Sequence, residues 1–430
     1  MSFSSARPWS AANAASRLED VLSRAASDAP EAAHVYTGLF PELARADVAA
    51  LDGRPDTALK GALVSIKDLL DVAGFPSRAA SPALLDTAPA EVDSDVAARL
   101  RAAGAILVGH TNMTELAYSG IGINPHFGTP ANPLYPRHAP GGSSSGAAIS
   151  VATGLADVAI GSDTGGSLRI PAAFTGLVGF KPSQASVSRR GCVPLSVELD
   201  SLGPIARTVA DCETTWRILS GVTREAMAEI GPRLVVPENF GCDELDPAVE
   251  AGFDAAVTKL REAGYSVVSE RLPSLHLYGK IPAWQFASVE ARSRFDTLLS
   301  AHADIMDRRV VARMRRSEDL SALDYRRTLD QRAAFVARLR EDLGNRYLLM
   351  PTVAILPPAL KDLERDEDFN RLNVLALRNT TMVNVGDGCS ISVPFREGGD
   401  TIGVMISAPS GRDPELLALA ARIEALFASN

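Results

Sequence analysis

Aromatic residues are scarce in this chain, at 6% of the total, while glycine is plentiful at 33 residues. That balance favours close backbone packing over an aromatic-lined groove. Cysteine is scarcer still: Cys192, Cys212, Cys242 and Cys389 share no Cys-x-x-Cys spacing, and no histidine neighbours them in a zinc-like pattern. A disulfide framework and a metal site are therefore set aside in favour of isolated thiols in a reducing compartment. Positive charge is not in excess, since 43 basic residues face 52 acidic ones for a formal net charge of -9. Such a surface repels phosphate backbones and disfavours nucleic-acid binding, while leaving room for a local basic pocket that takes a carboxylate. No apolar run approaches membrane-spanning length, and residues 1–7 lack the apolar core of a secretory signal. A cytoplasmic protein without membrane insertion is expected.

What the chain does have is size and apolar content: 430 residues, 46% of them hydrophobic. Length alone suggests two or three domains, although a large α/β enzyme can wrap one sheet continuously. Residues 12–26 have helical composition, with Leu18, Val21 and Leu22 at core spacing. Residues 61–68 form a short apolar run ending on a charge, which reads as a buried strand delivering Lys67 to a site. A helix follows over 94–103, capped by Ser94 and stopped by Gly104, and then a strand over 106–109. This alternation argues for an α/β sheet. Residues 124–140 carry five prolines and read as an ordered, irregular loop. The Gly/Ser/Ala-rich stretch 141–179 resembles a linker in composition, yet it contains a helix-like segment at 147–152 and a strand-like one at 158–161. Packed structure is the better reading. Beyond Lys181, strands are expected at 234–236, 265–268, 348–351 and 390–394, with helices over 247–262, most of 283–343, and 416–427. Met306, Val310, Val311 and Met314 form an apolar stripe read as core. There is no internal repeat.

Three segments carry candidate chemistry: Lys67; Gly141-Gly142-Ser143-Ser144-Ser145-Gly146; and Gly161-Ser162-Asp163-Thr164-Gly165-Gly166-Ser167-Leu168-Arg169. Acyl transfer needs a nucleophile, a base and donors aimed at a developing oxyanion. Glycines before a serine let successive backbone N–H groups converge on one point. A lysine in an apolar wall can lose its proton, because desolvation disfavours the charged form. A serine hydroxyl between them both donates and accepts. Taken singly each segment is weak, since a Gly/Ser run is more often a turn and a lysine after a strand usually meets water.

Together they resemble the amidase signature family, whose pattern runs Gly-Gly-Ser-Ser-Gly-Gly, then Gly-x-Asp-x-Gly-Gly-Ser-[Ile/Val/Leu]-Arg-x-Pro-Ala. The second stretch fits through Ile170-Pro171-Ala172, and the first departs at Ser145, where glycine is usual. Val64-Ser65-Ile66-Lys67-Asp68, Thr111-Asn112-Met113-Thr114-Glu115 and Ser201-Leu202-Gly203-Pro204 match flanking motifs, so the close likeness spans about residues 61–211. The resemblance implies a single domain over 1–430, built on one mixed, many-stranded β-sheet sandwiched between α-helix layers. Residues 280–345 would form a helical, variable substrate-side region. It implies Ser167 as nucleophile, Ser143 as relay after a cis peptide bond, and Lys67 as base. Thr164, Gly165, Gly166 and Ser167 would supply the oxyanion hole, with Asp163 and Arg169 bracing the loop. No metal or cofactor is implied.

Met113, Tyr118, Gly142 and His126 are candidate substrate-binding residues, with simple packing the competing reading. His110 is expected in the core or behind the site, and His138 shares the proline-rich loop with His126. The leading reading is a hydrolase of a small-molecule carboxamide, hydrazide or urea-type bond, and a homodimer is compatible with it. Two alternatives stand beside it: the glutaminase subunit of a transfer-RNA amidotransferase, and a non-catalytic binding protein on the same scaffold. The segment from Tyr118 to His126 and the acidic charge fit the first alternative poorly. The intact catalytic set argues against the second.

Overall fold

The computed structural model describes residues 7–27, 29–226 and 231–429. Most of the N-terminal stretch read for a signal, residues 1–6, lies outside the described residues. Eleven strands form one sheet. They are β1 (Tyr36–Leu39), β2 (Leu63–Lys67), β3 (Ile106–Thr111), β4 (Val158–Asp163), β5 (Val178–Lys181), β6 (Ser201–Ala206), β7 (Arg233–Pro237), β8 (Ser266–Glu270), β9 (Tyr347–Pro351), β10 (Gly388–Glu397) and β11 (Asp400–Pro409). Their spatial order is β1-β3-β2-β4-β6-β5-β10-β11-β9-β7-β8. β2 runs parallel to β3 and β4, and β7 parallel to β8 and β9, while the contacts of β4 with β6 and of β10 with β5 and β11 are antiparallel. The sheet is mixed, as the resemblance implied.

β2, β3 and β4 are buried at every position. That is why they read as nearly continuous apolar runs: parallel strands are covered on both faces. Successive side chains serve opposite layers. Val158 and Ile160 join the main cluster with Val96, Leu100 and Trp216, whereas Ala159 packs with Ala147, Ala148 and Val151 of the helix Ser145–Ala152. That helix lies close against its neighbours, and a Cβ at Gly146 would collide with the carbonyl of Val35 and the backbone of Asn112.

Element boundaries follow local chemistry. β2 starts at Leu63 rather than at residue 61, because Gly61 turns the chain with a φ of 83°. Ser94 accepts from the Ala97 N–H and caps the helix Asp95–Ala102. Asp246 and Pro247 open the helix Pro247–Glu262 in the same way. The expected N-terminal helix is a short 3-10 turn, Ala11–Asn13, followed by Ala14–Ala25. The long helical region is three helices, Trp284–His302, Arg308–Arg315 and Ala322–Leu343. Val310, Val311 and Met314 bury the expected stripe in the main cluster. The helix Asp366–Val385 and strand β11 are additions. The former buries Asn373, Asn379, Thr380 and Asn384 among its apolar residues, which blurs an amphipathic pattern. Among the described residues no helix is long and apolar enough to cross a membrane.

Trp216 is the largest fully buried side chain, set edge-on to Phe180 with ring centroids 6.0 Å apart. Trp216→Ala is expected to cost about 3–5 kcal/mol of unfolding free energy, by lost transfer energy plus a cavity. Urea denaturation checks this, and a loss under about 1 kcal/mol would mean the sheet face closes over the gap.

Candidate active site

β2 ends on Lys67 inside the protein, where the side chain has no solvent exposure. Its Nζ donates to Ser143 Oγ at 2.7 Å and to Ser162 Oγ at 2.9 Å. Burial pushes the ammonium pKa down to about 7, and the nearby acids Asp200 and Asp163 resist that fall without reversing it. The amine is therefore poised to lose its proton in the neutral range.

Ser143 follows a cis peptide bond from Gly142. The Gly142 N–H donates to the Gly120 carbonyl at 2.8 Å, and the Ser143 carbonyl accepts from the Thr114 N–H at 3.1 Å. A Cβ at Gly142 would press on the Gly122 backbone, so only glycine lets these two loops meet. Ser145, the departure from the family pattern, opens the next helix with a buried hydroxyl that has no hydrogen-bond partner among the described residues.

β4 delivers the third segment. The Asp163 carboxylate accepts from the Gly166 N–H (2.8 Å), the Leu168 N–H (3.1 Å), Arg169 Nη2 (2.9 Å) and Asn384 Nδ2 (2.9 Å). Burial alone would raise the pKa of Asp163, but the Arg169 charge and these hydrogen bonds overcome it and hold the pKa at about 2. Gly166 has a φ of 137°, and a Cβ there would strike Thr380 Oγ1. The Gly165 carbonyl accepts from Thr380 Oγ1 at 2.6 Å and from Thr381 Oγ1 at 3.1 Å. The Gly165–Gly166 peptide is thus clamped at both ends, its oxygen on the helix Asp366–Val385 and its N–H on Asp163. The Gly166 N–H, one of the expected oxyanion donors, is engaged by the Asp163 carboxylate. Among the described residues the N–H groups of Thr164, Gly165 and Ser167 have no hydrogen-bond acceptor. Ser167 itself is 4% exposed. The expected chain is joined at Lys67–Ser143, whereas no hydrogen bond links Ser143 to Ser167 among the described residues. Catalytic hydrogen bonds are often long in a free enzyme and tighten around substrate.

The other candidates sit as follows. His110 is core, its Nε2 on the Leu70 carbonyl at 2.9 Å and its Nδ1 3.5 Å from Asp68, with burial lowering its pKa. Met113 is wholly buried in the main apolar cluster. The Tyr118 hydroxyl donates to the Ala287 carbonyl at 3.0 Å. His126 is part-exposed, 3.7 Å from the buried Glu115. His138 Nδ1 lies 2.9 Å from the Pro136 carbonyl. Four residues escaped the sequence reading: Ser162, Asp200, Thr380 and Asn384. Ser162 stood inside the quoted motif, one residue before Asp163. Asp200 accepts from Thr164 Oγ1 and from the N–H groups of Leu195 and Ser196 (2.9 and 3.1 Å), and burial pushes its pKa up to about 6. Thr380 and Asn384 reach the loop from more than 200 residues along the chain, beyond any local pattern.

The amidase family profile matches residues 18–417. The chain is 35% identical over 404 residues to the 2-amino-5-chloromuconic acid deaminase of Comamonas testosteroni, covering 89% of this chain and 86% of that one. It is 32% identical over 417 residues to the A-type subunit of the glutamyl-tRNA(Gln) amidotransferase of Halobacterium salinarum, covering 87% and 97%. Its fold is similar to that of a crystal structure of an amidase, with a TM-score of 0.86 at 31% identity and 96% of both chains covered.

Asp163→Asn leaves the Arg169 guanidinium buried without its counter-charge, for an expected loss of about 3–5 kcal/mol. In the wild type the depressed pKa adds stability that is complete above the unfolded-state value of about 3.9. That contribution is lost as pH falls towards the folded value of about 2. Denaturant titrations at pH 7 and across the acid range should show both the loss and the disappearance of this acid-labile component in the variant. Equal stability of the two proteins at pH 7 would contradict the bracing role.

Proposed function

The chain belongs to the amidase family, and on that footing we propose that it hydrolyses a carboxamide, or a related hydrazide- or urea-type bond, of a small molecule through an acyl-enzyme on Ser167. The observation that carries this reading is the desolvated Lys67 amine hydrogen-bonded to Ser143 at 2.7 Å, beside a loop whose Thr164, Gly165 and Ser167 N–H groups have no acceptor among the described residues. In the reaction neutral Lys67 takes the Ser143 proton as Ser143 takes that of Ser167. Ser167 Oγ attacks the carbonyl carbon, and the oxyanion is met by the N–H groups of Thr164, Gly165 and Ser167. The proton returns through Ser143 to the departing nitrogen, and the C–N bond breaks to release ammonia or an amine. Water, deprotonated along the same relay, then cleaves the ester and frees the acid. Asp163 and Arg169 hold the loop without touching substrate, and residues 1–430 act as one catalytic domain.

A second reading keeps the chemistry and changes the partner: the glutaminase subunit of a transfer-RNA amidotransferase. The likeness over 97% of the Halobacterium salinarum protein favours it. Ammonia release from a panel of small amides, with free glutamine among them, separates the two. Turnover of glutamine alone would select the second.

Ser167→Ala is expected to lower kcat roughly 10^4-fold or more while leaving the fold intact. Lys67→Ala should cost a comparable factor, because the relay has no proton sink. Lys67→Arg should not restore activity, since a guanidinium does not deprotonate in a protein. In the wild type the active form is the neutral amine, so the rate should hold above the Lys67 pKa of about 7 and fall as pH drops through it. A pH–rate profile of all three proteins is the measurement, and near-wild-type activity in Lys67→Arg would remove Lys67 as base.

A further inference from the structure

Glu290 lies on the helix Trp284–His302, half-buried and without an ion pair among the described residues. Its three hydrogen-bond donors are all uncharged. Oε2 accepts from Ser196 Oγ at 2.7 Å and from the Glu198 N–H at 3.1 Å. Oε1 accepts from the Tyr325 hydroxyl of the helix Ala322–Leu343. A carboxylate drawn partly out of water without a cation is costly, and these donors offset the cost only while residues 196–198 hold their place. With both oxygens occupied in this way, Glu290 serves that segment rather than a ligand.

Ser196 faces two ways. Its hydroxyl serves Glu290, while its N–H, with that of Leu195, donates to Asp200 Oδ2. Its carbonyl accepts from the Asp200 N–H at 2.9 Å, so the two residues hold each other in both directions. Asp200 Oδ1 in turn accepts from Thr164 Oγ1 at 2.5 Å, at the entrance of the loop that carries Ser167. Ser196 and Asp200 are both buried. An unbroken run of hydrogen bonds thus leads from Tyr325 and Glu290 on the helices, through Ser196 and Asp200, to Thr164. A second route leaves the same segment. Glu198 pairs with Arg332 at 2.7 Å, and Arg332 Nε donates at 3.1 Å to the carbonyl of Val385, the neighbour of the Asn384 that holds Asp163. Residues 284–343 therefore reach the Ser167 loop from both of its sides.

We propose that Glu290 is a positioning residue for the Ser167 site: through Ser196 and Asp200 it sets where Thr164, and with it the Thr164 and Gly165 N–H groups, stand relative to Ser167. The oxyanion that those groups meet exists only in the tetrahedral intermediate and the transition states beside it. A small displacement is therefore felt in the rate and not in ground-state binding. This rests on the amidase reading of the Ser167 site, and it gives the helices of residues 284–343 a share in the rate.

The test follows phosphonylation of Ser167 by an alkyl fluorophosphonate. Ser167 Oγ bonds to phosphorus, fluoride leaves, the serine proton passes to the Ser143–Lys67 relay, and the phosphoryl oxygen takes the place of the oxyanion. Glu290→Leu should lower kinact about tenfold or more, the effect expected when a hydrogen bond to a charged group is lost, and leave KI unmoved. Glu290→Gln should recover most of the rate, since its amide oxygen can accept from Ser196 and Glu198 while its NH2 meets the Tyr325 oxygen. Thr164→Val cuts the other end of the run, so the double variant should be no slower than the slower single one. Ser196→Ala, which leaves Glu290 in place, gives a second reading of the same loss should Glu290→Leu fold poorly. A Glu290→Leu kinact equal to that of the wild type, a change confined to KI, or losses that multiply in the double variant overturn the positioning role. A wild-type protein that the fluorophosphonate does not label at Ser167 overturns the amidase reading instead. Non-additive losses of unfolding free energy between Thr164→Val and Glu290→Leu would then show the run of hydrogen bonds to stand without it.

Discussion

The contact between Asp163 and Arg169 is the constraint on which the rest of the site depends. Both side chains are fully buried, and the pair would be a poor source of net stability by itself, because desolvation consumes most of the Coulomb gain. What it fixes is geometry. Asp163 holds the Gly166 and Leu168 N–H groups on one side, while Arg169 reaches the Thr380 carbonyl and Asn384 on the other. Through Ser390 and Met405 the same guanidinium also touches β10 and β11. A loop of small residues, which would otherwise be floppy, is thereby tied to three separate parts of the sheet and its covering helix. The tie decides which backbone N–H groups of the loop are engaged by Asp163 and which are left without an acceptor among the described residues.

Lysine burial shows how one fold handles two cations differently. Lys67 and Lys181 both end buried strands, and desolvation lowers both, to about 7 and about 8. Lys181 donates to the carbonyls of Pro182 and Gly388, partners that accept a proton-bearing amine and have nothing to give. Lys67 meets two hydroxyls, Ser143 and Ser162, which can donate as well as accept. The difference between a strut and a candidate base thus lies in the partner atoms rather than in depth. Asp200 adds a further tether, since it carries Thr164 at the entrance of the same loop.

Much of the sheet and the elements of the site are legible in the chain alone because the information is local. Lys67 closes an apolar run, Ser94 precedes its helix, and the Gly-Gly-Ser segment announces a tight turn. What escapes is non-local or masked by polarity. The helix Asp366–Val385 carries asparagines and threonines on its buried side because they bond the loop and neighbouring carbonyls, so its hydrophobic period is diluted. β11 has a cue in Gly398-Gly399, both at positive φ in the hairpin turn, but a glycine pair is equally at home in an open loop. The resemblance places Gly166 among the expected oxyanion donors by its position in the motif. Only the position of the Asp163 carboxylate shows its N–H to be taken.

The order of strands sets a timetable for synthesis. β5, which ends at Lys181, pairs with β10, which begins at Gly388, and the Ser167 loop is clamped by Thr380, Thr381 and Asn384. A ribosome making about 5–20 residues per second would finish Ser167 at least about ten seconds before the clamp emerges. During that interval the two serines and the lysine exist on a nascent chain whose loop has nothing to lean on. The loop that carries Ser167 therefore gains its frame only once residues 380–384 have been made, and a chain released before them carries Lys67, Ser143 and Ser167 without it.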